Sequence, residues 1–175
     1  STEQAYIAFF KKLDPNKVKK IYIDPVESLY NAIQFYFPSV AVMVTDECIL
    51  RYARVALHDV IYRDGKRMPL KNKYATLMQK KANITEVYTK RQIASSFQSR
   101  PILKAAYDHY QKLITLIEGK WQYSDIKAWT DTLPDNLPEF GILADVVKLF
   151  EDNIKLFCEE IGSTSGPYST NVSDF

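Results

Sequence analysis

Two rhythms of apolar and polar residues run along this chain, and each change of rhythm marks an element. Residues 4–13, QAYIAFFKKL, carry the pattern of a short amphipathic helix that ends near Asp14-Pro15. The stretch 18–24, VKKIYID, reads as a strand. Val26, Leu29, Tyr30, Ile33 and Phe37 then recur at helical spacing, and Pro38 stops that helix. SVAVMVT is apolar at five successive positions, 40–44, and rich in valine, the mark of a strand buried on both faces. Beyond Asp46 the helical period holds for the rest of the chain. Ile49, Ala53, Leu57, Val60 and Ile61 stripe one helix that closes near Asp64-Gly65. Further helices are predicted over 70–80 and 85–98, and one opens at Arg100-Pro101 with its stripe at Leu103, Ala106, Tyr110, Leu113 and Ile117. A short helix follows over 124–132. A last long helix carries Leu143, Val146, Val147, Phe150, Ile154 and Phe157 and ends at Gly162. Tyr107, Tyr110, Phe150 and Phe157 are expected in the core, with Trp121 and Trp129 packed beneath the short helix. The tail GSTSGPYSTNVSDF has loop composition.

Strand, short helix, strand is a βαβ unit, so the two strands are expected to be parallel with a right-handed crossover. Two parallel strands cannot stand alone, and a strand as apolar as VAVMV needs neighbours as well as cover. The chain offers no third convincing strand. Another chain therefore supplies the rest of the sheet, by self-association, or the segment belongs to a longer protein that carries the missing strands.

Composition narrows the class. With 175 residues, 46% hydrophobic and 25% charged, the chain suits one soluble, ordered domain, or one with an insertion. No apolar stretch approaches a membrane span, and the N-terminal charges follow the apolar stretch instead of preceding it, unlike a secretory leader. Cys48 and Cys158 match no metal or redox spacing and fit a reduced, cytoplasmic setting. Two histidines exclude a His-rich metal site.

The net charge of +2 hides a division. Residues 63–104 hold eleven basic and two acidic residues, net +9, whereas 105–175 hold five basic and twelve acidic, net −7. A polyanion partner for the basic segment explains such a block, and so does attraction between two solvated faces of one fold. Lys66, Arg67, Lys71, Lys73, Lys80, Lys81, Lys90 and Arg91 are the candidate contacts to a phosphate backbone, with Tyr74 and Tyr88 among them.

Asp24 and Asp46 each end a strand. In open α/β sheets, ligands and reacting groups gather at that edge. Two carboxylates on neighbouring strand ends repel, and a divalent cation such as magnesium relieves the conflict. On pattern alone helix capping is the favoured explanation of both acids, since Asp before Pro-x-Glu and Asp before Glu suit a first helical turn.

The ordered set of these pieces resembles the DDE-type bacterial insertion-sequence transposases of the ISL-three group. The residues that carry the likeness are Asp24, Tyr30, Phe37-Pro38, the apolar strand 40–44, Asp46 and Ala56-Leu57, then Leu103 to Tyr107 and Trp129. The resemblance covers nearly the whole chain. It implies an α/β fragment, the βαβ of a ribonuclease-H-like core (1–62), followed by a mainly α-helical insertion (63–135), a long helix returning to the core (136–162) and a flexible tail (163–175), mostly α overall. It also implies DNA cleavage and strand transfer at transposon ends, with magnesium or manganese held by three acids.

Asp24 then matches the second acid and a metal ligand. Asp46 matches the start of an Asp-x-Phe-His motif beside the site. That motif departs from the family here, with Cys48 and Ile49 in place of Phe and His. Asp174 stands one residue short of the place of the third acid. The expectation is a catalytic-domain fragment inactive and without bound metal by itself. The alternative is a non-catalytic helical module that binds nucleic acid or protein.

Overall fold

The computed structural model describes residues 2–163. Among them the chain forms nine α-helices and one small sheet. The strands are β1 (Lys20–Tyr22) and β2 (Ala41–Met43). The helices are α1 (Thr2–Phe10), α2 (Glu27–Tyr36), α3 (Asp46–Asp64), α4 (Lys73–Met78), α5 (Val87–Gln98), α6 (Pro101–Glu118), α7 (Tyr123–Asp131), α8 (Gly141–Leu149) and α9 (Glu151–Ser163). The fold is mostly helical. None of the described helices is long and apolar enough to cross a membrane.

β1 and β2 pair in parallel, with Ile21 opposite Val42, and α2 forms the crossover between them. Alternation along the strands puts Lys20 and Tyr22 on one face and Ile21 and Ile23 on the other. Val42, Met43 and Val44 are all buried. α1 lies on α2 through an aromatic contact, Phe10 edge-on to Phe37 with ring centroids 5.5 Å apart. That contact hides the ring that precedes Pro38.

α9 covers part of the outer edge of β2. The N–H of Val44 donates to the carbonyl of Asn153 at 3.3 Å, and Nδ2 of Asn153 donates to the carbonyl of Val42 at 2.9 Å. One buried asparagine from α9 thus occupies two outward-facing groups that a third strand would otherwise satisfy. At its other end α9 reaches β1, where Tyr22 donates to Glu160 at 2.7 Å and Lys20 pairs with the same carboxylate.

The expected single C-terminal helix is two. α8 stops at Leu149, Phe150 takes non-helical angles (φ −106°, ψ 29°), and α9 starts at Glu151. The apolar stripe runs on through the break, because the N–H of Phe150 still bonds to Val146 and that of Ile154 to Phe150. α8 packs on α3 and α9 on β2, so the break falls where the chain passes from one partner to the other.

α3 is the axle of the molecule. Ile49, Ala53, Leu57, Val60 and Ile61 are fully buried, and α6 lies against them with Leu103, Ala106, Tyr107, Tyr110 and Leu113. Each such aliphatic side chain contributes roughly 1.5–3 kcal/mol. The join is polar: Asp64 at the end of α3 accepts the N–H of Leu103 at 3.2 Å, and Arg100 donates to the Asp64 carbonyl. An acid from another helix thereby caps α6, whose own N-cap residue, Arg100, makes no side-chain cap. Trp121 and Trp129 are buried, and Nε1 of Trp129 donates to the carbonyl of His109 at 3.0 Å.

Candidate functional site

Asp24 lies just past the carboxyl end of β1, two residues beyond Tyr22. It is not the cap of α2. That position belongs to Val26, which makes no side-chain cap bond. The Asp24 carbonyl instead accepts the N–H of Val26 at 2.7 Å, a tight turn that frees the side chain from the helix. The carboxylate stays about half exposed (52%) and pairs with the guanidinium of Arg51, itself 50% exposed. Cys48 completes the group: its Sγ lies 3.4 Å from Asp24 Oδ1, 3.5 Å from the Ile23 carbonyl and 3.5 Å from Arg51 Nη2.

The first turns of α3 build this arrangement. Thr45 caps the helix, accepting the N–H of Cys48 at 3.3 Å. Cys48 and Arg51 then stand one turn apart on the same face. Asp24, Arg51, Tyr52, Val55, Ile142 and Glu139 line a cleft of about 320 Å³ above α3. Glu139 pairs with Arg63 at 2.6 Å, and its second carboxylate oxygen is buried without a partner.

Asp46 takes a different part. It stands in the first turn of α3, after the cap, and its carboxylate accepts the N–H of Glu47 at 2.8 Å. Burial raises its pKa above the usual carboxylate value, against the lowering effect of that hydrogen bond. The field of Asp46 reaches Cys158 on α9, whose thiol burial pushes up to about 11. The polar contacts of Asp24 thus run to α3 at Cys48 and Arg51, and the two strand-end acids share no hydrogen-bond partner among the described residues.

Glu139, on the same cleft, gives one carboxylate oxygen to Arg63, and Asp24 brings a second hard carboxylate. The nearest neighbours of Asp24 are a guanidinium, which repels a cation, and a thiol, which is soft and suits magnesium poorly. Among the described residues no group of three or more His, Cys, Asp or Glu could hold a metal ion. As arranged, these residues do not by themselves make a site for magnesium or manganese. Thr170, Asn171 and Asp174 lie outside the described residues.

The candidate DNA contacts divide by what they touch. Lys73 donates to the carbonyls of Gly65 (2.8 Å) and Lys66 (3.1 Å), closing the end of α3. Lys80 pairs with Glu118 of α6. Lys66, Arg67, Lys71, Lys81, Lys90 and Arg91 are exposed and have no acidic partner among the described residues. Tyr74, an expected member of the basic surface, is half-buried and stacks on His58 with centroids 4.6 Å apart.

Sequence reasoning missed Arg51, Cys48 as a neighbour of Asp24, and Asn153. Asn153 had a readable signal: it falls three residues after Phe150 and four before Phe157, a lone amide in an apolar stripe. Arg51 had none, because it meets Asp24 only across a sequence separation of 27.

A family model described as transposase, for the ISL-three group of DDE enzymes, matches residues 1–168. The chain belongs to that family. No curated protein and no solved structure matches it.

Proposed function

We propose that this chain is part of the catalytic domain of a DNA transposase, acting on phosphodiester bonds at transposon ends, with Asp24 as one acid of the catalytic centre. The observation that carries the reading is the place of Asp24. It follows the carboxyl end of a strand, beside a parallel neighbour, is free of any capping duty and opens on a cleft. In this reading the βαβ of 1–62 belongs to a ribonuclease-H-like sheet, in which β1 takes further strands on its outer side. Residues 63–135 are a helical insertion, and 136–162 return to the core. The hard carboxylate of Asp24 suits magnesium or manganese, and the remaining acids come from outside the described residues. Asp46 shapes the start of α3 beside the centre. The basic surface of 63–104 contacts DNA, and two free cysteines suit the reduced cytoplasm.

The test is strand cleavage of transposon-end DNA by the transposase that carries this domain. Asp24→Asn is expected to lower cleavage about a thousandfold, since a metal-holding acid is worth several kcal/mol in the transition state. Cleavage retained in Asp24→Asn takes Asp24 out of the mechanism. A second reading, a binding module without chemistry, draws support from the Arg51 guanidinium already seated on the Asp24 carboxylate. It is favoured if the unaltered protein binds end DNA and never cuts it.

A further inference from the structure

The basic segment and the helix end that leads into it carry two exposed tyrosines, and their setting goes beyond phosphate contact. Tyr62, in the last turns of α3, is 60% exposed, and Tyr88, in the first turn of α5, is 72% exposed. Core packing accounts for neither ring. Lys66 Nζ lies 4.6 Å from the centroid of Tyr62, a cation over an aromatic face. Tyr88 shares a face of α5 with Arg91 and Gln92. Gln92 Nε2 donates to the carbonyl of Pro69 at 2.9 Å, which ties that face to the loop bearing Lys66, Arg67 and Lys71. The two rings therefore flank one loop, Tyr62 through Lys66 and Tyr88 through its helix neighbour Gln92.

Basic residues outnumber acidic ones eleven to two over 63–104. Of the two acids, Asp64 accepts the N–H of Leu103, and Glu86, exposed at the start of α5, accepts the hydroxyl of Thr89 at 2.9 Å and keeps its charge. Glu118 and Glu139, from the acidic C-terminal block, are taken by Lys80 and Arg63. Attraction between the two charge blocks thus accounts for part of the basic residues and leaves this cluster over.

Exposed aromatic rings interleaved with unpaired cations are the means by which proteins hold single-stranded nucleic acid. Unpaired bases stack on the rings and phosphates meet the cations, whereas a duplex hides its base faces. Resting on the reading of the chain as a transposase domain that contacts DNA, we propose that the surface of Tyr62, Tyr88, Lys66, Arg67, Lys71 and Arg91 binds unpaired DNA, with the two tyrosines as stacking platforms.

The test is fluorescence anisotropy with the full chain, using a labelled oligothymidylate of about 20 nucleotides and a duplex of about the same length. The single strand is expected to bind about tenfold tighter than the duplex at equal salt. Tyr62→Ala and Tyr88→Ala each weaken single-strand binding about tenfold, leave duplex binding unchanged and are rescued by Tyr62→Phe and Tyr88→Phe. Lys66→Gln with Arg91→Gln weakens both probes and flattens the salt dependence on the single strand, by roughly 0.7 in log–log slope for each phosphate no longer neutralised. If both alanine variants hold the single strand as tightly as the unaltered chain does, the stacking proposal falls and DNA contact through phosphates stands. If neither probe binds even at low salt, the DNA-contact reading falls and the proposal with it.

Discussion

At the scale of single residues, the contact between Asp24 and Arg51 decides what the cleft can hold. The pair is half exposed on both sides, so it adds no more than about 1 kcal/mol to stability. Its larger effect is on cations. A guanidinium on the carboxylate opposes any metal ion that approaches the same oxygen. In the transposase that carries this domain, Arg51→Ala is expected to leave the urea midpoint almost unchanged and to tighten Mn²⁺ binding, read by electron paramagnetic resonance. Asp24→Asn in the same background should remove that gain. Equal Mn²⁺ affinity in the unaltered transposase and Arg51→Ala would show that Arg51 does not compete for the site. The strand and the acid at its end are legible in 18–24 because β-pattern and acid are local. The partner of the acid is not, since it is set by how α3 docks against the strand ends.

At the scale of elements, the helices follow from apolar spacing, and their ends from proline, glycine and small polar caps. Pro101 opens α6 and Gly119 closes it, as their residue types dictate. The division of the last helix at Phe150 is not written in its stripe, which continues unbroken. It falls where the chain passes from one docking target, α3, to the other, β2. Asn153 is the price of that arrangement, a polar side chain in an apolar seam, and it also bonds two groups on the outer edge of β2. Asn153→Leu keeps the bulk and removes the donor to the Val42 carbonyl. A buried carbonyl left without its partner costs about 1–3 kcal/mol. The variant is therefore expected to unfold at lower urea than the unaltered chain by that margin. An unchanged midpoint would mean that the amide bond to the edge of β2 adds no stability.

At the scale of the whole molecule, the charge division and the hydrophobic core give different outlines. Charge separates 63–104 from 105–175, and the proposed insertion would divide the chain at 63 and 135. Packing ignores both boundaries. One continuous core takes in Val42 and Ile49 from the first segment, Leu103 and Tyr110 from the second, and Leu143 and Phe157 from the last. α6 buries its stripe on α3, and α7 lies on both α8 and α9. Without α3 and α8 the helices of 63–135 would expose the faces that order them, so they are not expected to hold their fold alone.

Unfolding of the intact chain should then be a single cooperative event. Both tryptophans, Trp121 and Trp129, sit within 63–135, whereas buried Cys48 belongs to the strand ends. Tryptophan fluorescence, far-ultraviolet circular dichroism and the thiol reactivity of a Cys158→Ser variant should give the same urea midpoint. If the fluorescence transition separates from exposure of Cys48, then 63–135 opens as its own unit and the shared core is weaker than its continuity implies. The charge pattern was readable in the sequence, and much of it lies on exposed side chains. The packing that joins its blocks was not, because it rests on which stripe meets which, and that is fixed only when α3 is placed at the centre.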